Sequence, residues 1–204
     1  METKKDSTEE KILEAAKNVF VTKGMDGARM QEIADEAGIN KALLHYYFRS
    51  KERLFEAIFG EIIKYAFPKI SRIIASDMGI VNKIEQFVDA YLDVLMKHPF
   101  IPGFIMKELS RDPSTFLKMI MKFGFNPQIV FTQIEEAMNR GEIIRMDPRH
   151  LAVNVISMCV FPFAARPIVS FVIFKEDQPA IEKFYHERAT VIKQFVVNAI
   201  VVKP

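Results

Sequence analysis

Apolar positions recur at helical spacing along almost the whole chain, and no stretch alternates as a half-buried strand would. Ile12, Ala15, Ala16, Val19 and Phe20 trace one helical face, behind a Ser7–Glu10 pair with capping-box spacing. Gly24 ends that helix, and Met25-Asp26-Gly27 turns the chain. Met30, Ile33, Ala34 and Ala37 give a short second helix, which Gly38 terminates by taking a left-handed conformation. Asn40 is an N-cap for a third, running from Lys41 to about Phe48. Ser50 caps a long fourth helix with Leu54, Phe55, Ile58, Ile62, Phe67, Ile70 and Ile74 on its apolar face, and Pro68 should bend or divide it.

Beyond Asp77 the helical pattern continues. Val81–Lys97 is amphipathic through Ile84, Phe87, Val88, Tyr91 and Leu95, and His98-Pro99 stops it. Short helices over Pro102–Ser110 and Pro113–Lys122 precede one over Pro127–Arg140 that turns Val130, Phe131, Ile134 and Met138 inward. Asp147-Pro148 opens a helix to about Phe161. Pro179 opens the last, with Ile181, Phe184, Tyr185, Arg188, Ile192, Phe195, Val196 and Ala199 on one side. The expectation is an all-α chain of about nine or ten helices, without repeats or low-complexity tracts.

The third helix carries the chemistry. Leu44 and Phe48 fall on one side with Tyr47 near them, and Lys41, Ala42, His45 and Tyr46 on the other. A face that is cationic, aromatic and small suits a helix end pressed into a DNA major groove. From Ile33 to Phe55 the run I-A-x-x-A-G-I-N-K-A-L-L-H-Y-Y-F-R-S-K-E-x-L-F resembles the TetR/AcrR family of one-component transcriptional regulators, and the helix Thr8–Lys23 fits too. The resemblance implies an N-terminal three-helix helix-turn-helix DNA-binding domain and a C-terminal helical domain for ligand binding and dimerisation. The corresponding division is 1–50 for DNA binding, 51–76 for the connecting helix and 77–204 for ligand and dimer.

Matched position by position, the helix-turn-helix covers 29–48, and the resemblance puts Lys41, Ala42 and Gln31 at base edges. Lysine suits guanine O6 and N7, and glutamine can pair bidentately with adenine. Arg29, His45, Tyr46, Tyr47 and Lys51 match positions that hold the phosphate backbone. Ala42 stands where glycine is common, His45 where tyrosine is, and Arg29 and Met30 where small Thr or Ser are. These departures point to an operator of the protein's own.

Composition narrows the classes. A net charge of +2 over 204 residues does not by itself suggest nucleic acid, but Lys41, Arg49, Lys51 and Arg53 crowd one stretch opposed only by Glu52. A single cysteine, Cys159, excludes an internal disulfide framework and a cysteine zinc cluster, and its apolar neighbours argue for an inert thiol. The N-terminus lacks the apolar core of a signal peptide, so a cytoplasmic chain is expected. Leu151–Phe174 is long enough to span a bilayer, but it contains Asn154, Pro162, Pro167 and Arg166. An arginine near the middle costs roughly 2.5–3.5 kcal/mol on insertion scales, so no membrane partner is expected. The four histidines have no metal spacing, and no phosphate loop or nucleophile elbow is present, so neither enzyme nor cofactor is read.

One recognition helix offers too little contact for a specific site, and two-fold symmetry supplies a second about one DNA turn, roughly 34 Å, away. The partners expected are therefore a double-stranded, (pseudo)palindromic DNA operator and a second copy of the chain. The most apolar helical segments, 148–163 and 179–202, would form the homodimer's four-helix interface, as the resemblance also implies. Fourteen of the eighteen phenylalanines and eight of the eleven methionines lie after residue 60, a composition suited to a pocket for a greasy effector. Phe67, Phe87, Tyr91, Phe104, Met119, Phe123, Phe131 and Met138 are candidate lining, with Tyr91, Gln133 and Asn154 as polar anchors. The function read is a sequence-specific regulator, a repressor released by a small, largely apolar effector. The rival is a helical ligand-binding or scaffolding dimer without DNA binding.

Overall fold

The computed structural model describes residues 4–111, 113–121, 124 and 126–202. Ten α-helices and one π-helical turn account for nearly all of them, and the described residues contain no strand. The helices are α1 (Lys4–Gly27), α2 (Met30–Glu36), α3 (Lys41–Tyr47), α4 (Lys51–Ala75) and α5 (Ile80–Lys97). They continue as α6 (Ile101–Arg111), α7 (Pro113–Met121), α8 (Pro127–Asn139), α9 (Pro148–Ala164) and α10 (Gln178–Ile200). The π-helical turn, Ile168–Ile173, lies between α9 and α10.

The caps explain most boundaries. Asn40 Oδ1 accepts from the Leu43 amide at 2.8 Å and Ser50 Oγ from the Arg53 amide at 3.3 Å, opening α3 and α4. Asp147 and Asp177 do the same for α9 and α10, each with proline in the first turn. Gly38, at φ +67°, ends the α2 turn in the region that glycine enters without steric cost. One expectation shifts: helix α1 already begins at Lys4, so Ser7 lies inside it rather than at its cap. Gly24, at φ 68° and ψ 173°, interrupts α1 where the sequence placed its end, and only a short last turn follows it.

Pro68 does not divide α4, which stays helical from Lys51 to Ala75. Its buried row runs Leu54, Phe55, Ile58, Phe59, Ile62, Ala66, Ile73, in unbroken helical register. Phe67, Ile70 and Ile74 flank this row half-buried instead of continuing it, and Ala66 and Ile73 take the inward positions. On α10, Phe195 faces outward at 66% exposure, and Ala199 is exposed as well.

Two apolar clusters form. One gathers α1 to α4 and takes in Val94, Phe100, Ile101 and Phe104 from the end of α5 and the start of α6. Phe55 stacks on Phe104 with ring centroids 3.4 Å apart, and Phe100 lies 6.0 Å from Phe20 and 5.7 Å from Phe55. The other packs α5, α8, α9 and α10 around Val88, Leu95, Ile134, Cys159, Ile192 and Val196. A backbone bond of 2.8 Å from the Ile144 amide to the Ile200 carbonyl ties the α8–α9 connection to the end of α10.

Between the clusters, at the α5–α6 corner, His98 is half-buried and its Nδ1 is buried without a hydrogen-bond partner. Burial pushes its pKa below the ordinary 6.5, helped by Lys17 and Lys97 and opposed by Glu14 and Asp93. The neutral ring is the one the fold accepts. The unfolded chain therefore binds more protons than the folded one as pH falls below 6.5. Stability is full above that value and declines beneath it. Replacing His98 by Gln is expected to flatten the fall in denaturation midpoint between about pH 7 and 5. Phe104→Ala is expected to cost about 3–5 kcal/mol in chemical denaturation, as for a large buried aromatic. Unfolding of the α1–α4 cluster should report that loss although Phe104 lies on α6.

Candidate nucleic-acid interface

Helix α3 is seven residues long and is positioned from beneath. Leu44 is fully buried and Phe48 nearly so, both in the first apolar cluster. With that face held, Lys41, Ala42, His45 and Tyr46 point outward and are exposed, Tyr46 at 74%. Arg29 and Gln31 at the start of α2 are exposed on the same unit, and Tyr47 is half-buried with its ring edge-on to Tyr46 at 5.5 Å. The expected DNA-facing residues thus lie on one helix-turn-helix. Some are already occupied locally. Gln31 Nε2 donates to Asp35 Oδ1 at 2.8 Å, and His45 Nδ1 lies 3.3 Å from the Arg49 carbonyl.

Lys51 does more than the sequence suggested. Its ammonium donates to the Asp26 carbonyl at 3.4 Å and the Ala28 carbonyl at 3.1 Å, so it clasps the α1–α2 turn to the start of α4. Those carbonyls offset the cost of a cation at the positive end of a helix. Asp26 itself pairs through its carboxylate with Lys107 on α6. That pairing, with the nearby Lys51, holds its pKa below the ordinary carboxylate value. One short turn therefore joins α1, α4 and α6. No local signal points to Lys107, because its partner lies 81 residues away.

The candidate ligand residues are less unified. Phe87, Tyr91 and Met138 share the second cluster, with Phe87 stacked on Tyr91 at 5.3 Å. Burial, with Cys159 nearby, pushes the Tyr91 hydroxyl up to about 12. Phe104 belongs to the first cluster, and Asn154 is exposed on α9. Gln133 is engaged at the end of α4: its Nε2 donates to the Ile74 carbonyl at 3.0 Å, and its Oε1 accepts from Lys83 Nζ at 3.0 Å. Lys83 also donates to the Ile74 carbonyl, at 2.9 Å. Phe67 and Phe131 are half-buried. Phe123 and the Met119 side chain lie outside the described residues.

Two clefts open at the surface. One, of about 570 Å³, lies between α4 and α5 beside Arg72 and Gln86. The other, of about 490 Å³, lies where the α1 turn meets α6, beside Asp26, Gly103 and Lys107. No cluster of His, Cys, Asp and Glu suited to a metal occurs among the described residues. No helix of those residues is long and apolar enough to cross a membrane.

A helix-turn-helix seated on a larger helical body defines a DNA-binding regulator, and comparisons with known proteins agree. Residues 12–58 match the family model described as bacterial regulatory proteins, tetR family. The chain is 26% identical over 188 residues to "Probable HTH-type transcriptional regulator YttP" of Bacillus subtilis (strain 168), covering 90% of each protein. A HlyIIR mutant with residues 169–186 replaced by a linker superposes with TM-score 0.68 at 22% identity, covering 98% of both chains. AibR, solved with isovaleryl coenzyme A and operator DNA, superposes with TM-score 0.64 at 18% identity, covering 76% of this chain and 85% of AibR. Residues 12–58 thus carry a tetR-family DNA-binding domain, and over most of its length the chain is similar to transcriptional regulators of that family.

Cys159 is fully buried, and desolvation pushes its thiol up to about 12 despite the Arg188 cation nearby. In the native protein at pH 8, iodoacetamide is expected to leave it unmodified by mass spectrometry. After unfolding in guanidinium the same reagent should modify it fully.

Proposed function

We propose that the protein is a cytoplasmic repressor that holds a (pseudo)palindromic operator as a homodimer and leaves it when a small, largely apolar effector binds. Residues 1–50 touch DNA, 51–76 form the connecting helix, and 77–204 bind effector and partner. The observation that carries this reading is the outward face of α3, with Lys41, Ala42, His45 and Tyr46 exposed over a buried Leu44 and Phe48. Lys41, Ala42 and Gln31 read base edges, and Arg29, His45, Tyr46, Tyr47 and Lys51 hold phosphates. Gln31 can exchange Asp35 for a base edge, since both bonds are exposed and comparable in kind.

Dimerisation is supported by apolar side chains that the single chain leaves in water. Val153 and Phe161 on α9 and Val191 and Phe195 on α10 are each between 48% and 66% exposed. Two such helix pairs facing each other bury them in a four-helix bundle. For the effector, the pocket candidates that share the second cluster, Phe87, Tyr91 and Met138, offer an apolar wall with one hydroxyl. Binding there favours whichever α5–α6 arrangement fits the ligand better. The change reaches DNA through Phe100 and Phe104, which α6 places inside the first cluster, and through the Lys107–Asp26 pair. AibR, whose bound ligand is an acyl coenzyme A, is a fold precedent for an effector with an apolar tail.

The test is an electrophoretic shift assay on genomic fragments, followed by titration of a retained fragment. Lys41→Ala is expected to weaken the retained fragment at least about tenfold, in line with 1–3 kcal/mol for a base contact. Arg29→Ala should weaken all sequences alike and reduce the salt slope by about one. If no fragment is held more tightly than random DNA, the rival reading of a helical dimer without DNA binding takes its place.

A further inference from the structure

The π-helical turn between α9 and α10 presents its apolar residues to water. Val169 is 1% exposed and anchors the turn, but Ile168, Phe171, Val172 and Ile173 are 50%, 60%, 70% and 59% exposed. The segment is nevertheless well held. The Phe174 amide donates to the Val169 carbonyl at 3.1 Å, and the Glu176 amide to the Ser170 carbonyl at 2.8 Å. Lys175 and Glu176 then reverse the chain with φ of 49° and 64°, left-handed conformations that residues with a Cβ adopt at a cost. An ordered turn with strained backbone and outward apolar side chains is shaped for a partner.

We propose that Ile168–Ile173 is an arm that closes over a second copy of this chain and extends the α9–α10 dimer face. The proposal rests on the dimer reading above and adds a contact which that face does not contain. Continuity supports it: Phe174, at the arm's end, packs on Phe184 of α10 with ring centroids 5.2 Å apart. Phe184 lies seven residues, about two helical turns, before Val191, on the stripe that leads to Phe195.

Area supports it too. Nine large apolar side chains between residues 148 and 200 are at least 41% exposed. Together they leave on the order of 900 Å² open, and the four on the arm carry close to half. A standard interface takes about 800 Å² per partner, polar and apolar together, and the arm nearly doubles the large apolar area that α9 and α10 offer toward it. The rim favours protein over lipid. Arg166 and Lys175 are balanced by Glu176 and Asp177, which gives no net attraction to an anionic membrane.

Sedimentation equilibrium of the full chain tests the arm. The double variant Phe171→Ser, Val172→Ser is expected to weaken the dimer about a hundredfold while far-ultraviolet dichroism stays unchanged, since both side chains are exposed. An unchanged dimer constant overturns the arm. A wild-type chain that is monomeric at every concentration overturns the dimer reading itself, a separate outcome. A nitroxide on Val172→Cys gives a second readout, because the buried Cys159 does not compete for label. Its spectrum should be immobilised in the dimer and mobile in a Phe195→Asp background. Equal mobility in both, or arm-dependent retention on phosphatidylglycerol vesicles, counts against the proposal.

Discussion

Four phenylalanine rings, Phe20, Phe55, Phe100 and Phe104, meet in one core, in two pairs from stretches of the chain far apart in sequence. Helices α1 and α4 supply the first pair, and the α5–α6 corner and α6 the second. Such close-packed interiors are bistable rather than continuously deformable. The DNA-facing helices therefore cannot complete their own core without α6, and α6 cannot move without repacking them. Surface ion pairs such as Lys17–Glu61 and Lys23–Glu32 add little beside this. They fix orientation more than they stabilise.

The arrangement also explains why the outward face of α3 is available. A seven-residue helix has little stability of its own. Leu44 and Phe48 hold it to the core, Asn40 caps it, and the Lys51 clasp fixes the turn in front of it. All of the holding is done from one side. The other side is left with Lys41, Ala42, His45 and Tyr46, held internally by the His45 bond to the Arg49 carbonyl and the edge-on contact of Tyr46 with Tyr47.

Much of this was legible in the sequence. Asn40, Ser50, Asp147, Gly38 and the prolines after Asn126, Asp147 and Gln178 are local signals, and local signals set helix ends. The outward face of α3 followed from periodicity, and its match to DNA-facing positions from the family resemblance. What the sequence did not disclose involves long separations. Phe104 reads as a pocket residue until α6 is seen to enter the first cluster. Gln133 reads as a ligand anchor until the end of α4 arrives beside it, 59 residues away in sequence. Phe195 reads as inward because its spacing fits the core stripe, yet it lies beyond the edge of that stripe. Periodicity gives a face, but it does not say which neighbour the face will meet.

The bonds to the Ile74 carbonyl fix the far end of α4. Lys83 and Gln133 both donate there, so that end is fastened to α5 and α8. From Ile74 to Lys51 the helix is about 35 Å long at about 1.5 Å per residue. A rod of that length turning by only about 5° about its fastened end sweeps its tip through roughly 3 Å. That is close to the roughly 3.4 Å between successive base pairs. Any small adjustment among packed side chains at the Lys83–Gln133 end would thus be geared up into a displacement close to one step of the DNA ladder.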